Sequence, residues 1–212
     1  MGTARPPRRW LVHVVTGAGL ACLLAGGALL VTGAGPVDFG AVPAAPPPVA
    51  ALPTRAAAPV VVGVVPVELT LPGRGVIAPV VPVGTAPGGA MVIPDPPSTV
   101  GWWAPGPLVG APTGAAVLAG HVDSADAGIG ALAVLREVEP GEPVRVRGAD
   151  GRELGYVVTA RREYRKADLP LDLFTGDGAP GLVLITCGGA FDPAQRRYLS
   201  NVIVSATLVA TT

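Results

Sequence analysis

An all-β domain closed into a barrel, held outside a membrane by an N-terminal anchor and a stiff tether, is the architecture this sequence predicts. Three observations point to it. Apolar and polar residues alternate with a period of two in several runs beyond Pro66. Of 212 residues, 30 are Gly and 25 are Pro, a composition that disfavours helical bundles and punctuates short strands. One uninterrupted apolar stretch lies near the N-terminus, behind three arginines. The length suits one domain plus a tail, since a typical domain takes roughly 100–150 residues.

Residues 1–9 form a short basic tail that should stay in the cytoplasm, and residues 10–32, WLVHVVTGAGLACLLAGGALLVT, follow without a formal charge. Crossing a bilayer takes about 20 apolar residues. Arginines in front of such a span keep the N-terminus inside and send the rest of the chain out. A cleaved signal peptide is the alternative, but the span exceeds the usual apolar core of roughly 7–15 residues, so an uncleaved signal anchor is preferred. Arg5, Arg8 and Arg9 precede the span, which leaves 12 of the 15 Lys and Arg against 15 Asp and Glu beyond it. That balance gives no basic field for nucleic acid. The mean hydropathy of +0.52 reflects the apolar first third.

Residues 33–66 are rich in Pro, Ala, Val and Gly, including Pro46-Pro47-Pro48. Frequent proline removes backbone donors and favours extended chain, so this segment reads as a semi-rigid extracellular linker. The remaining residues, 67–212, carry the strand signals. Val67, Leu69 and Leu71 alternate with Glu68 and Thr70, and Val144 and Val146 alternate with Arg145 and Arg147. Leu154, Tyr156 and Val158 follow a turn at Ala149-Asp150-Gly151, which predicts a hairpin. Further runs at 76–83, 115–119, 182–187 and 198–208 bring the count to about seven or eight strands. Only 130–138 looks helical. Trp102 and Trp103 read as barrel-closing core, with a groove-lining place for one of them as the alternative, and Arg161, Arg162, Arg165 and Lys166 as a solvated basic face.

The two cysteines cannot pair, because Cys22 lies within the apolar span and Cys187 far beyond it. A free thiol outside a membrane is unusual, since exported structural cysteines come in pairs. A thiol acts as a nucleophile only as thiolate and needs an imidazole or a cation beside it. His13 lies in the span, which leaves His121 as the partner. His121 ends the apolar run 115–120, as Cys187 ends 182–186; two strands thus deliver reactive groups to a barrel rim. Asp123 and Asp126 near His121 fall short of a zinc ligand set and read as a solvated loop.

At these residues the sequence resembles the sortases, the cysteine transpeptidases of Gram-positive cell surfaces, and more narrowly the actinobacterial class F (class E-like) group. The nucleophile motif T-L-x-T-C appears as Val183-Leu184-Ile185-Thr186-Cys187, followed by Gly188-Gly189-Ala190-Phe191-Asp192. Pro97-Ser98-Thr99-Val100-Gly101-Trp102-Trp103 and Leu118-Ala119-Gly120-His121-Val122-Asp123 match the histidine-bearing part. The resemblance implies a closed sortase barrel with short helical connections over 67–212. One position departs from the pattern. Where many relatives have Y-R-D-N-V, this chain has Tyr198-Leu199-Ser200-Asn201-Val202. Arg197, two residues before Leu199, projects from the same strand face and is the expected replacement, with Arg196 as the alternative.

The resemblance implies cleavage of an LPxTG-like sorting signal through a thioester on Cys187, with His121 as acid and base and Arg197 as oxyanion or substrate clamp. Thr186 would border the substrate, and Leu169, Pro170 and Leu171 would supply apolar contacts for the signal's leucine and proline. Partners would be surface proteins or pilins bearing that signal, with a peptidoglycan or pilin amine as acceptor. No cofactor or metal is expected. The alternatives are a sortase-fold binding or structural module with weakened activity, for which Leu199 speaks, and an L,D-transpeptidase-like enzyme. In the latter a Ser-His-Gly element precedes the cysteine, where this chain has Ile185-Thr186.

Overall fold

The computed structural model describes residues 38–41 and 63–211. The strands are β1 (Pro66–Leu71), β2 (Val76–Val83), β3 (Val100–Trp103), β4 (Ala115–Ala119), β5 (Asp123–Ser124), β6 (Gly128–Ile129), β7 (Pro143–Gly148), β8 (Glu153–Arg165), β9 (Gly181–Asp192) and β10 (Arg197–Thr211). Eight of them close a barrel in the order β1-β2-β3-β4-β9-β10-β8-β7, with β7 returning to β1; β5 and β6 form a separate two-stranded ribbon. Closure leaves no sheet edge unpaired around the ring. Only β2 with β3 and β4 with β9 pair parallel, and the other barrel neighbours are antiparallel.

The period-two runs turn the expected residues inward. Leu69, Val144, Val146 and Leu154 are fully buried in the barrel, together with Tyr156 and Val158. Val67 is the exception, half-buried because the β1–β7 register shifts between Pro66 and Glu68. The predicted hairpin joins β7 to β8, with Gly151 at φ +85° and Asp150 accepting from the Arg152 N–H at 3.1 Å. Trp102 is buried core, whereas Trp103 on the other face is half-exposed.

Among the described residues no α-helix occurs; the helical connections are four short 3-10 turns. The stretch read as helical forms only the 3-10 turn Ala133–Arg136, whose Leu135 plugs the barrel interior together with Leu132 and Val138. Its far side is tied down by Arg74, which donates to the Glu142 carboxylate at 3.0 Å and holds that carboxyl below its usual range. Among the described residues no helix is long and apolar enough to cross a membrane, and the expected span at 10–32 lies outside them.

Two segments ahead of β1 belong to the barrel. Val64 is buried and exchanges backbone hydrogen bonds with Val109 at 2.8 and 3.2 Å. Further upstream, within the stretch that reads as linker, Phe39 exchanges 3.0 Å backbone bonds with Arg161 beyond the point where β7 stops pairing with β8. This corrects the basic run. Arg161 is not a solvated charge: it is 7% exposed, lies 5.1 Å from the centre of the Phe39 ring, and donates to the Val138 carbonyl.

Two outcomes are expected. Val64→Ala should lower stability by about 2 kcal/mol in urea unfolding, while Val65→Ala, at a position 45% exposed, should change it by less than about 0.5 kcal/mol. Burial pushes the Tyr156 phenol up to about 12 from 10.0. A raised acid favours the folded state with the proton on, so this contribution is intact below pH 10.0 and lost as pH rises through about 12. Tyr156→Phe should flatten that part of the alkaline loss in unfolding midpoints measured against pH.

Candidate active site

The site is built by the parallel pair β4 and β9, in register from Ala115 opposite Gly181 to Ala119 opposite Ile185. The Gly120 N–H donates to the Ile185 carbonyl at 3.1 Å, which carries the ladder one residue further. Alternation then assigns faces. Ala116 and Leu118 point into the barrel with Leu182 and Leu184, whereas Val117, Ala119, Val183 and Ile185 join a second apolar cluster on the outside. Two residues on, Cys187 continues β9 while His121 lies just beyond the end of β4, and the two line the same pair of cavities.

Local contacts fix that pair. Thr186 faces inward, 2% exposed, and its hydroxyl donates to the Gly120 carbonyl at 2.9 Å, tying the residue before the cysteine to the residue before the histidine. Gly130 closes over His121 so tightly that a Cβ there would stand 2.1 Å from the His121 carbonyl oxygen. The His121 Nε2 has no hydrogen-bond partner; the exposed Asp95 carboxylate stands 3.6 Å away, beyond hydrogen-bond distance. The nitrogen is itself buried and faces that carboxylate. Cys187 is a free, half-buried thiol.

Two cavities meet at this pair, and both are lined by His121, Lys166 and Cys187. One, of about 560 Å³, is an apolar groove over the outer cluster, walled by Met91, Ile93, Trp103, Leu169, Leu171 and Phe174. Trp103 and Phe174 meet edge to face with centroids 5.2 Å apart. The other, of about 840 Å³, is bordered by Asp123, Ser124, Arg196, Arg197 and Tyr198. A groove for apolar side chains and a wider opening with cationic rims thus share one thiol and one imidazole.

The predicted site residues divide accordingly. Leu169 and Leu171 line the apolar groove; Pro170 precedes the 3-10 turn Leu171–Phe174 and lines neither cavity. Thr186 lines the groove but spends its hydroxyl on Gly120. Arg197 pairs with Asp192 at the start of β10, four residues before Asn201, the partner of Cys187. That is roughly 13 Å along the strand. Arg196 holds the turn before it at φ +50°.

A guanidinium that the sequence did not single out reaches the nucleophile's own backbone. Arg136 Nη2 donates to the Cys187 carbonyl at 3.4 Å, and its Cζ lies 5.0 Å from the Tyr198 ring centroid. Tyr198 in turn donates its hydroxyl to Asp123 at 2.5 Å, which raises the phenol above its ordinary pKa. Nothing local marks Arg136 in the sequence, because it closes an apolar stretch remote from both motifs.

A closed eight-stranded barrel that presents a free cysteine on β9 and an imidazole two residues beyond the end of β4, both lining two cavities, suits a cysteine acyl-transfer class. The particular family follows from comparison: the Sortase domain family model matches residues 69–209, and the chain belongs to the sortase family of cysteine transpeptidases. This sets aside the L,D-transpeptidase alternative. Solved structures share the fold. Sortase A from Corynebacterium diphtheriae, a lid mutant, is 22% identical, with 68% of this chain and 69% of that one covered at a TM-score of 0.51. Sortase C2 of Group B Streptococcus pilus island 1 is 19% identical, covering 68% and 73% at 0.52. Sortase E1 from Streptomyces coelicolor, solved with a tripeptide in its active site, is 19% identical, covering 68% and 87% at 0.51. No curated protein sequence gives a significant match.

Thr186→Val keeps the shape of the side chain but leaves the buried Gly120 carbonyl without its donor. It should cost about 1–3 kcal/mol in denaturant unfolding, and it should lower turnover further than that loss of folded protein accounts for, because Gly120 carries His121.

Proposed function

We propose that this sortase is a membrane-anchored transpeptidase of the class F (class E-like) group that cleaves an LPxTG-like sorting signal and transfers the acyl group to an amine. The carrying observation is the register of β4 and β9, which sets Cys187 and His121 side by side where the apolar groove meets the cationic cavity. The groove suits the leucine and proline of an extended signal, and the wider cavity suits the acceptor. The span at 10–32 would leave the N-terminus in the cytoplasm and the barrel outside, within reach of surface proteins or pilins and of peptidoglycan precursors.

In this reading Cys187 Sγ, as thiolate, adds to the threonine carbonyl carbon of the signal. The tetrahedral oxyanion collapses with cleavage of the C–N bond, and the His121 imidazolium gives its proton to the departing amine. A thioester on Cys187 remains. The acceptor amine then enters from the wider cavity, loses its proton to His121, and attacks the thioester, so the acyl group leaves on a new amide and the thiolate is restored. Holding the thiol on β9 and the imidazole just beyond β4 supplies the orientation that such transfers need.

A second reading, a sortase-fold module with weakened activity, draws on Leu199, which is 43% exposed at the place where the family resemblance leads one to expect arginine. Cleavage of a pentapeptide library by the barrel domain, with the products identified by mass, separates the two. The transpeptidase should select leucine and proline and form a Cys187 thioester in an acceptor-free reaction. Cys187→Ala should abolish cleavage and transfer with the unfolding midpoint unchanged, and His121→Ala should lose at least about 10²-fold. Turnover by the Cys187→Ala variant within a few-fold of the parent would sink the enzyme reading.

A further inference from the structure

We propose that Arg136 is a positioning residue of this site, holding Cys187 by its carbonyl from the 3-10 turn, and that Tyr198 and Asp123 hold Arg136 in place. The inference rests on the transpeptidase reading above. Leu199 has no donor, and Arg197, which borders the wider cavity, is exposed and pairs opposite Asp192, without a hydrogen bond to Cys187. Arg136 is the arginine whose contact with the nucleophile's residue is direct.

Its surroundings are built for the purpose. The guanidinium lies over the Tyr198 ring, 5.0 Å from centroid to Cζ, which takes a cation on its face. Phe191 packs its ring against Tyr198 at 5.2 Å from the other strand of the β9–β10 pair, fixing the platform. The Tyr198 hydroxyl is spent on Asp123, two residues after His121. Arg136 Nε is buried without a hydrogen-bond partner, so the side chain is held by its Nη2 contact and by the Tyr198 ring. A chain therefore runs from the Cys187 carbonyl through Arg136, Tyr198 and Asp123 to the backbone that presents His121. Thr186 and Gly120 tie the two strands just before the reactive pair; this chain ties them just after it. The nucleophile and the acid–base group are thus braced from both sides.

The test uses the full chain, and measures signal cleavage, thermal midpoint and amide hydrogen exchange for a set of variants. Arg136→Ala should cut kcat by about 10²-fold, the cost of misplacing reacting groups by about an ångström, with KM for the signal little changed. Tyr198→Phe, which keeps the ring and removes the hydroxyl, should cut kcat by about tenfold. The double variant should be no worse than Arg136→Ala alone, since both remove one tie. Arg136→Lys should recover part of kcat through its charge.

Faster exchange over 121–123 in Arg136→Ala would support the tie without reference to turnover. If the parent shows no sortase activity while this exchange coupling is present, the functional reading has failed and the tie stands. Arg136→Ala within threefold of the parent overturns the proposal, as does additive loss in the double variant or a crippled Arg197→Ala beside an intact Arg136→Ala. Loss of kcat that only tracks a fall in thermal midpoint, in Arg136→Lys as well as Arg136→Ala, would reduce Arg136 to packing and equally overturn it.

Discussion

The parallel ladder between β4 and β9 is the constraint on which the rest of this molecule depends. A parallel pair advances both chains in the same direction, so strands that start level also end level. Ala119 opposite Ile185 therefore fixes where the next residues emerge, and the period of two fixes that His121 and Cys187 emerge on one face. A slip of one residue in either strand would send one of the two into the barrel interior. The register is protected by burial: Leu118, Leu182 and Leu184 fill the core, and Thr186 donates to Gly120 at the last rung.

The barrel in turn divides its apolar residues between two clusters, and this division makes the groove. The inner cluster closes the barrel around Tyr156, Leu154 and the Leu135 plug. The outer one, Val117, Val183, Ile185 and Ile203, is roofed by Leu173 with Trp103, Phe174 and Leu169 packed against it. Its open end is the apolar cavity that stops at Cys187. A β-strand with both faces buried reads as a continuous apolar run, and so Leu182-Val183-Leu184-Ile185 carries no alternation, although it serves two different faces.

Connections that carry little regular structure decide the electrostatics. Arg74 reaches Glu142 from the β1–β2 turn, Arg161 reaches Val138 from β8, and Arg136 reaches Cys187 from a four-residue turn. All three pin the same segment, 133–142, across the end of the barrel. The segment is short of secondary structure but long in ties, which is how a loop is made rigid enough to serve a site.

By itself the sequence determined the barrel, its inward residues, the hairpin at Asp150 and the candidate pair Cys187 and His121. Each of these depends on local alternation, on turn chemistry, or on the scarcity of residues able to activate a thiol. The motif around Cys187 carried the family, which the match over 69–209 bears out. Only the tertiary structure decided what lies across strands and loops. It placed Arg161 under Phe39 rather than in water, turned the 130–138 stretch into a 3-10 plug, and spent the Thr186 hydroxyl on the backbone. It also set Arg136, 51 residues from Cys187 in the chain, against that residue's carbonyl. The physical reason is the same in each case. Periodicity encodes which face a side chain takes, but contacts between distant segments arise from barrel closure, and no local pattern records where a closing loop will put its charge.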